Sequence, residues 1–152
     1  MDKGIYCLVL KNPCCTVRVG ALGTPVFRAG WHIYVGSALG RGGLQRLERH
    51  FSLTQCREKR PKWHVDYLLI SPFFSLVYAV CAVTADRLEC RIARELNKDS
   101  VPRFGSSDCS CRSHLFYRQS DPRQELLAAF RELRLEPVIK PIFNNPQVQD
   151  NI

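Results

Sequence analysis

Long apolar runs and acidic side chains are what this chain has least of. No stretch approaches the ~20 consecutive apolar residues that a bilayer span requires. Met1-Asp2-Lys3 leads into a strand-like segment rather than a secretory leader. The expectation is a protein with no membrane partner, in the cytoplasm. Internal repeats, low-complexity tracts and linker-like stretches are also lacking, so the 152 residues read as a single domain. A chain of that size can bury roughly 70% of its unfolded surface. We place the domain at residues 1–140; residues 141–152, rich in Pro, Asn and Gln, read as a flexible tail. Asp and Glu number 14 against 22 Lys and Arg, a formal charge of +8. That imbalance favours a polyanionic partner, nucleic acid being the commonest. The basic excess is mostly Arg, which suits planar, bidentate phosphate recognition.

Cysteine, by contrast, is abundant, with eight residues at 7, 14, 15, 56, 81, 90, 109 and 111. Without a leader, a disulfide framework is not expected. Cys7 and Cys81 lie inside apolar strand-like runs and read as small core residues. Cys109-Ser110-Cys111 with His114 resembles a metal-ligating cluster, with Cys90 as a fourth donor. Structural zinc sites usually use wider Cys-x₂₋₄-Cys spacings. Free thiols or a packed loop are therefore the preferred reading there, and structural zinc the alternative.

The pattern along the chain alternates between strand and helix periods. Ile5–Leu10 is a short apolar run of the kind found in a buried strand. Residues 15–19 and 24–28 alternate around the turn signal Gly20-Ala21-Leu22-Gly23, and Trp31–Gly36 follows, an antiparallel meander. From Gly43 the period becomes helical: Leu44, Leu47 and Phe51 share a face, and Arg46 and His50 stand one turn apart. Residues 52–60 read as a basic loop, and 62–69 as a second helix ended near Ser71-Pro72. Leu76–Val83 is the strongest strand, expected at the centre of the sheet. Asp86 is a candidate cap for a helix to Asn97, with Glu89 at the edge of its apolar face. A carboxylate there has to be paired or bound to metal. A strand at 113–117 and a last helix from 121 or 122 to 133 complete the pattern.

Taken singly, the polar residues have plain explanations. Tyr6 and Tyr34 would be half-buried sheet residues, Arg46 and Arg49 a solvated face, and Glu89 a helix-start carboxylate favoured by the macrodipole. His32 reads as a surface or edge residue, Trp63 as core, and His64 as a packed histidine bonded to backbone or a substrate contact. The ordered set Gly4-Ile5-Tyr6, Tyr34-Val35-Gly36, Arg46-x-x-x-His50 and Glu89 is more specific. Phosphodiester cleavage needs charge neutralisation on the phosphate oxygens, an activated water and a stabilised leaving group.

With these residues in this order, the chain resembles the GIY-YIG nuclease superfamily, over Gly4 to about Tyr117. It is most similar to a branch of small stand-alone prokaryotic members of unassigned role, with which the Phe104–Phe116 stretch is shared. The second signature reads Tyr-Val-Gly instead of Tyr-Ile-Gly, a swap that changes no chemical group. The resemblance implies an α+β domain, an antiparallel sheet flanked by helices, with both tyrosines facing one site. It also implies a metal-dependent DNA endonuclease. Glu89 would hold one Mg²⁺ or Mn²⁺, Arg46 would bind the scissile phosphate, and Tyr6 would help deprotonate water. Tyr34 and His50 would position groups or relay protons. Arg49, His64 and His114 are further candidates for substrate contact. The Asn that many members carry after the Glu helix has no secure match here; Ser107, Asp108 and His114 are the groups that could stand in for it.

A phenol titrates near 10, so a Tyr6 base working at pH 7 needs about 4 kcal/mol of environmental help. On that assignment activity should rise above neutrality. No separate recognition domain is present, so branched or single-stranded DNA fits better than a long specific site, with a homodimer as one way to cut both strands. Two other classes are compatible: a non-catalytic nucleic-acid-binding module, and a metal-structured interaction domain of a repair complex.

Overall fold

The fold was analysed in a computed structural model that describes residues 2–106 and 111–142. Strand β1 (Gly4–Asn12) is the middle of a five-stranded, wholly antiparallel sheet. β4 (Gly30–Ala38) pairs with one side of it and β5 (Ser75–Val83) with the other. β6 (Leu115–Arg118) extends the sheet beyond β4, and β7 (Val138–Pro141) extends it beyond β5. β2 (Cys15–Thr16) and β3 (Val26–Phe27) form a separate two-stranded ribbon. Four helices flank the sheet: α1 (Arg46–Gln55), α2 (His64–Leu69), α3 (Glu89–Leu96) and α4 (Arg123–Glu132). The expected α+β class, with an antiparallel sheet and flanking helices, is the one observed.

The near-continuous apolarity of β1 follows from its being covered on both faces. Successive side chains point to opposite sides of a strand, so Tyr6, Leu8 and Leu10 enter one core and Ile5, Cys7 and Val9 another. The first core is closed by Leu47 and Leu53 of α1 and Val65, Leu68 and Leu69 of α2. Ile92, Ala93 and Leu96 of α3 close the second, with Leu126 and Phe130 of α4. Cys81 joins the first core, and both it and Cys7 are buried, as their strand positions imply.

The elements depart from the sequence pattern in identifiable ways. β4 pairs directly with β1, so residues 15–28 form an excursion and not the next rungs of a meander. Pro25 has no N–H for a ladder, and pairing in that ribbon is limited to two residues on each side. α1 runs a turn past Phe51, because Leu53 is fully buried and continues its inner face. α3 starts at Glu89 instead of Asp86; the Asp86 N–H is taken by Thr84 Oγ1 at 3.1 Å in the preceding turn. β1 is the central strand and β5 is the interior strand beside it, covered on its outer side by β7, a rung that the sequence reading missed. Ending at Pro141, β7 also enters the segment read as a tail, whose residues 143–152 lie outside the described residues.

His32 is neither on the surface nor at an edge. It is 1% exposed, in edge contact with Phe27, Phe74 and Tyr117. Asn12 Nδ2 donates to the carbonyls of Pro13 and Arg28, which leaves Asn12 Oδ1 to accept from His32 Nδ1 at 2.8 Å. Burial, reinforced by the Arg28 charge, pulls the imidazole down to about 4. The ring is a neutral, satisfied core group.

Candidate active site

The two signatures are neighbours across the β1–β4 ladder: Tyr6 pairs with Gly36, and Tyr34 with Leu8. A side chain at Gly36 would meet Tyr6, since an added Cβ would lie 2.4 Å from Tyr6 Cζ. The phenol ring therefore lies over Gly36 because no Cβ is there. Gly4 is similarly required, with the Ala82 carbonyl oxygen 2.4 Å from where its Cβ would stand.

A cavity of about 350 Å³ opens at this end of the sheet. Tyr6, Tyr34, Arg46, Glu89, His64 and His114 all line it, together with Lys62, Trp63 and the Val35–Ser37 backbone. Of the core set expected from sequence, only His50 stands behind the wall. Its Nε2 is 2.8 Å from the Tyr6 hydroxyl, and it is 1% exposed. Burial pulls His50 down to about 4, with the Arg49 and Arg46 charges acting the same way and Asp66 opposing. His50 Nδ1 is buried without a hydrogen-bond partner. Burial also pushes the Tyr6 phenol well above its ordinary value, with Tyr34 adding to the rise and Arg46 opposing it. This is the reverse of the direction a resting phenolate base needs, so the phenol is neutral.

Arg46 and Arg49, adjacent turns of one helix, have different tasks. Arg46 lines the cavity, donates from Nη1 to the Ser37 carbonyl at 2.8 Å, and lies 5.0 Å from the centre of the Trp63 ring. Arg49 is instead engaged in a bidentate pair with fully buried Asp66 at 2.9 and 3.2 Å. The Lys62 and Trp63 N–H groups donate to the same carboxylate at 2.7 and 3.0 Å. Burial alone would raise the Asp66 carboxyl; the Arg49 and backbone donors outweigh it and hold it below its usual value. Arg49 thus fastens α1 to the start of α2 and is not among the residues lining the cavity.

Glu89 opens α3, on the far side of the sheet from α1, and reaches the cavity from there. Its Oε2 is buried with no hydrogen-bond partner. A buried carboxylate oxygen left unmatched is costly, on the order of 1–3 kcal/mol or more. An orphaned oxygen on a residue that lines a polar cavity fits a hard cation, for which one carboxylate plus waters is an ordinary ligand set.

His64 and His114 belong to the wall in different ways. His64 Nδ1 accepts the Gly105 N–H at 2.9 Å, and its ring stands edge-on to Phe104. Gly105, at φ +68°, holds the left-handed turn that brings this loop over Tyr34. His114 is 6% exposed and also faces Cys90, with Nε2 3.9 Å from Sγ. Cys90, Cys111 and His114 place their donor atoms within 4.8 Å of one another. The loop read from its spacing as packed or as free thiols is thus, in its described part, a cluster able to hold a metal ion. Cys109, Ser107 and Asp108 lie outside the described residues.

Sequence reasoning missed Lys62 as a lining residue and assigned Trp63 to the core alone. Trp63 is half-buried, with Arg46, Arg49 and Lys62 cations 4.5–5.1 Å from its ring centre. The signal was present as a Lys-Trp-His run, a basic and aromatic triplet of the kind that makes cation–π contacts. Among the described residues, no helix is long and apolar enough to cross a membrane.

The model of a family described as a domain of unknown function, DUF123, matches residues 5–135. No curated protein and no solved structure matches the chain.

Proposed function

The chain belongs to the DUF123 domain family, and from the site it carries we propose that it is a GIY-YIG-type, divalent-metal-dependent endonuclease acting on DNA. The observation that carries the reading is Glu89: a carboxylate with a buried, unpartnered oxygen on a cavity shared with two tyrosines and an arginine. A phosphodiester supplies the anion for Arg46 and Lys62. Glu89 is the residue that would hold Mg²⁺ or Mn²⁺, and a bound cation would supply Lewis-acid stabilisation of phosphate and leaving-group charge.

The chain's own residues supply the rest. The Arg46 guanidinium is braced by Ser37 and Trp63, so little side-chain entropy remains to be lost when it clamps a phosphate. Tyr6 does not act as a free phenolate, because burial opposes that form. Its partner His50 is neutral and 2.8 Å away. The base is accordingly the pair: as a water proton moves to the Tyr6 oxygen, the phenolic proton passes to His50 Nε2. The Asp66 carboxylate acts on His50 in the sense that favours the resulting imidazolium. Tyr34, on the same face of the sheet, orients water or phosphate at the cavity wall. With the base buried as a pair, activity reaches its plateau near neutrality instead of climbing steeply toward pH 10.

A purely binding module would have little use for Glu89, because a carboxylate beside phosphate repels it and costs energy when buried. The test is cleavage of plasmid, single-stranded and branched DNA in Mg²⁺ or Mn²⁺, wild type against Glu89→Ala. Metal-dependent cutting lost in the variant supports the reading and ranks the substrates. DNA binding without turnover in either protein, or equal turnover in both, refutes it.

A further inference from the structure

α3, which carries Glu89 in its first turn, is held unequally at its two ends. At its C-terminal end, Arg118 Nη2 donates to the Leu96 carbonyl at 2.6 Å. At its N-terminal end, Leu88 occupies the cap position and no side chain caps the first turn, where a Ser, Thr, Asp or Asn cap would contribute about 1 kcal/mol. Cys90, the residue next to Glu89, faces His114 and Cys111 there.

We propose that Cys90, Cys111 and His114 bind a zinc ion that fastens the start of α3 to the loop before β6 and so positions Glu89. The positioning part rests on the nuclease reading above; the zinc site does not. Two sulfurs and an imidazole are borderline-soft donors that select zinc over magnesium or calcium. In tetrahedral zinc, S–N donor separations are about 3.6 Å and S–S separations about 3.8 Å. The observed Cys90–His114 distance is 3.9 Å, and all three donors lie within 4.8 Å, so closure needs only a small inward shift. The two thiols would bind as thiolates, releasing their protons to solvent.

The placement has a second consequence, because His114 lines the cavity as well. A zinc ion would fix the His114 ring on one side of the cavity and, through Cys90, the backbone that carries Glu89. Such a metal clamp would steady the carboxylate through the backbone of its own helix. Cys90, Cys111 and His114 are thereby positioning residues for the cation site.

The experiment uses the full chain, expressed without added metal. Zinc is measured by plasma mass spectrometry, and cobalt(II) exchange is read by its thiolate charge-transfer absorption. Zinc near one equivalent, with a cobalt band, both lost in Cys111→Ser and Cys90→Ser but kept in Cys14→Ser and Cys56→Ser, supports the site. Cys90→His, which retains a nitrogen donor, should retain zinc. A metal-free wild type with no cobalt band overturns the site, as does a Cys90–Cys111 disulfide in the non-reduced protein. For the positioning role, the Mg²⁺ concentration giving half-maximal cleavage should rise about 10-fold on loss of zinc and recover in Cys90→His. An unchanged Mg²⁺ dependence after zinc removal overturns that role. If no form of the protein cleaves DNA, the nuclease reading and the positioning role fail together, and zinc content still decides the site.

Discussion

Replacing Glu89 with methionine should make the metal-free protein more stable while abolishing its response to magnesium. In the folded chain, Glu89 Oε2 is buried and unpartnered, a condition that costs about 1–3 kcal/mol. Methionine keeps the length of the side chain and removes the oxygens. Against that gain stands the favourable interaction of a carboxylate with the first turn of α3, about 0.3–1 kcal/mol. The balance is a stabilisation of about 1–2 kcal/mol, a rise of roughly 3–6 °C in Tm for a chain of this size. Thermal unfolding in EDTA measures it. Adding Mg²⁺ should then raise the wild-type Tm, by about 2.7 kcal/mol of stability at a hundredfold excess over Kd, and leave the variant where it was. A variant that melts below wild type in EDTA, or a wild type indifferent to Mg²⁺, would refute the reasoning: the orphaned oxygen would then not be held for a cation.

Two further outcomes separate the roles of neighbouring groups. Arg49→Ala should destabilise the fold by about 3–5 kcal/mol, because it strands buried Asp66, whereas Arg46→Ala should leave urea unfolding nearly unchanged and lower cleavage by at least tenfold. Equal stability of the two variants would contradict the division of labour. Acid should also destabilise the protein before most carboxylates titrate. His32 and His50 sit near 4 in the fold and near 6.5 when unfolded. The unfolded chain therefore binds more protons as pH falls, and the stability these rings contribute above pH 6.5 is lost between 6.5 and 4. At pH 5 the loss is about 2 kcal/mol per ring, readable as a drop in the urea midpoint from pH 8; a flat midpoint would place both rings outside the core.

What could be read in advance depended on how local each signal was. Helical period placed Arg46 and His50 on one helix, because that rule acts within a few residues. That Tyr6 and Tyr34 share a site was implied only by the resemblance, since their alignment depends on the β1–β4 register. Local rules do not give the direction of Arg49, whose fate is decided by Asp66 seventeen positions away. Nor could they place the phenol's environment: Tyr6 sits under α1 and α2, and that burial reverses the shift a base would require. His32 was misjudged because a polar residue in a strand is usually a solvated one, and its partner Asn12 lies twenty positions earlier. β7 escaped notice because an edge strand with three exposed positions in four has almost no periodic signature. The cluster of Cys90 with His114 spans 24 positions, while the local Cys-x-Cys spacing argued for something else.

The sheet separates the two halves of the site. Tyr6, His50 and Arg46 come from the layer built by β1, β4 and α1, and Glu89 comes from a helix that packs on the opposite face. The halves meet only where the sheet ends. On the proposed reading, a chain emerging from the ribosome carries its phosphate clamp and proton relay before its cation ligand, and α3 packs against β4 and against α4, which is made later still. On the same reading, a chain truncated before α3 would lack the proposed cation ligand and would also leave Ile5, Cys7 and Val9 of β1 open to water.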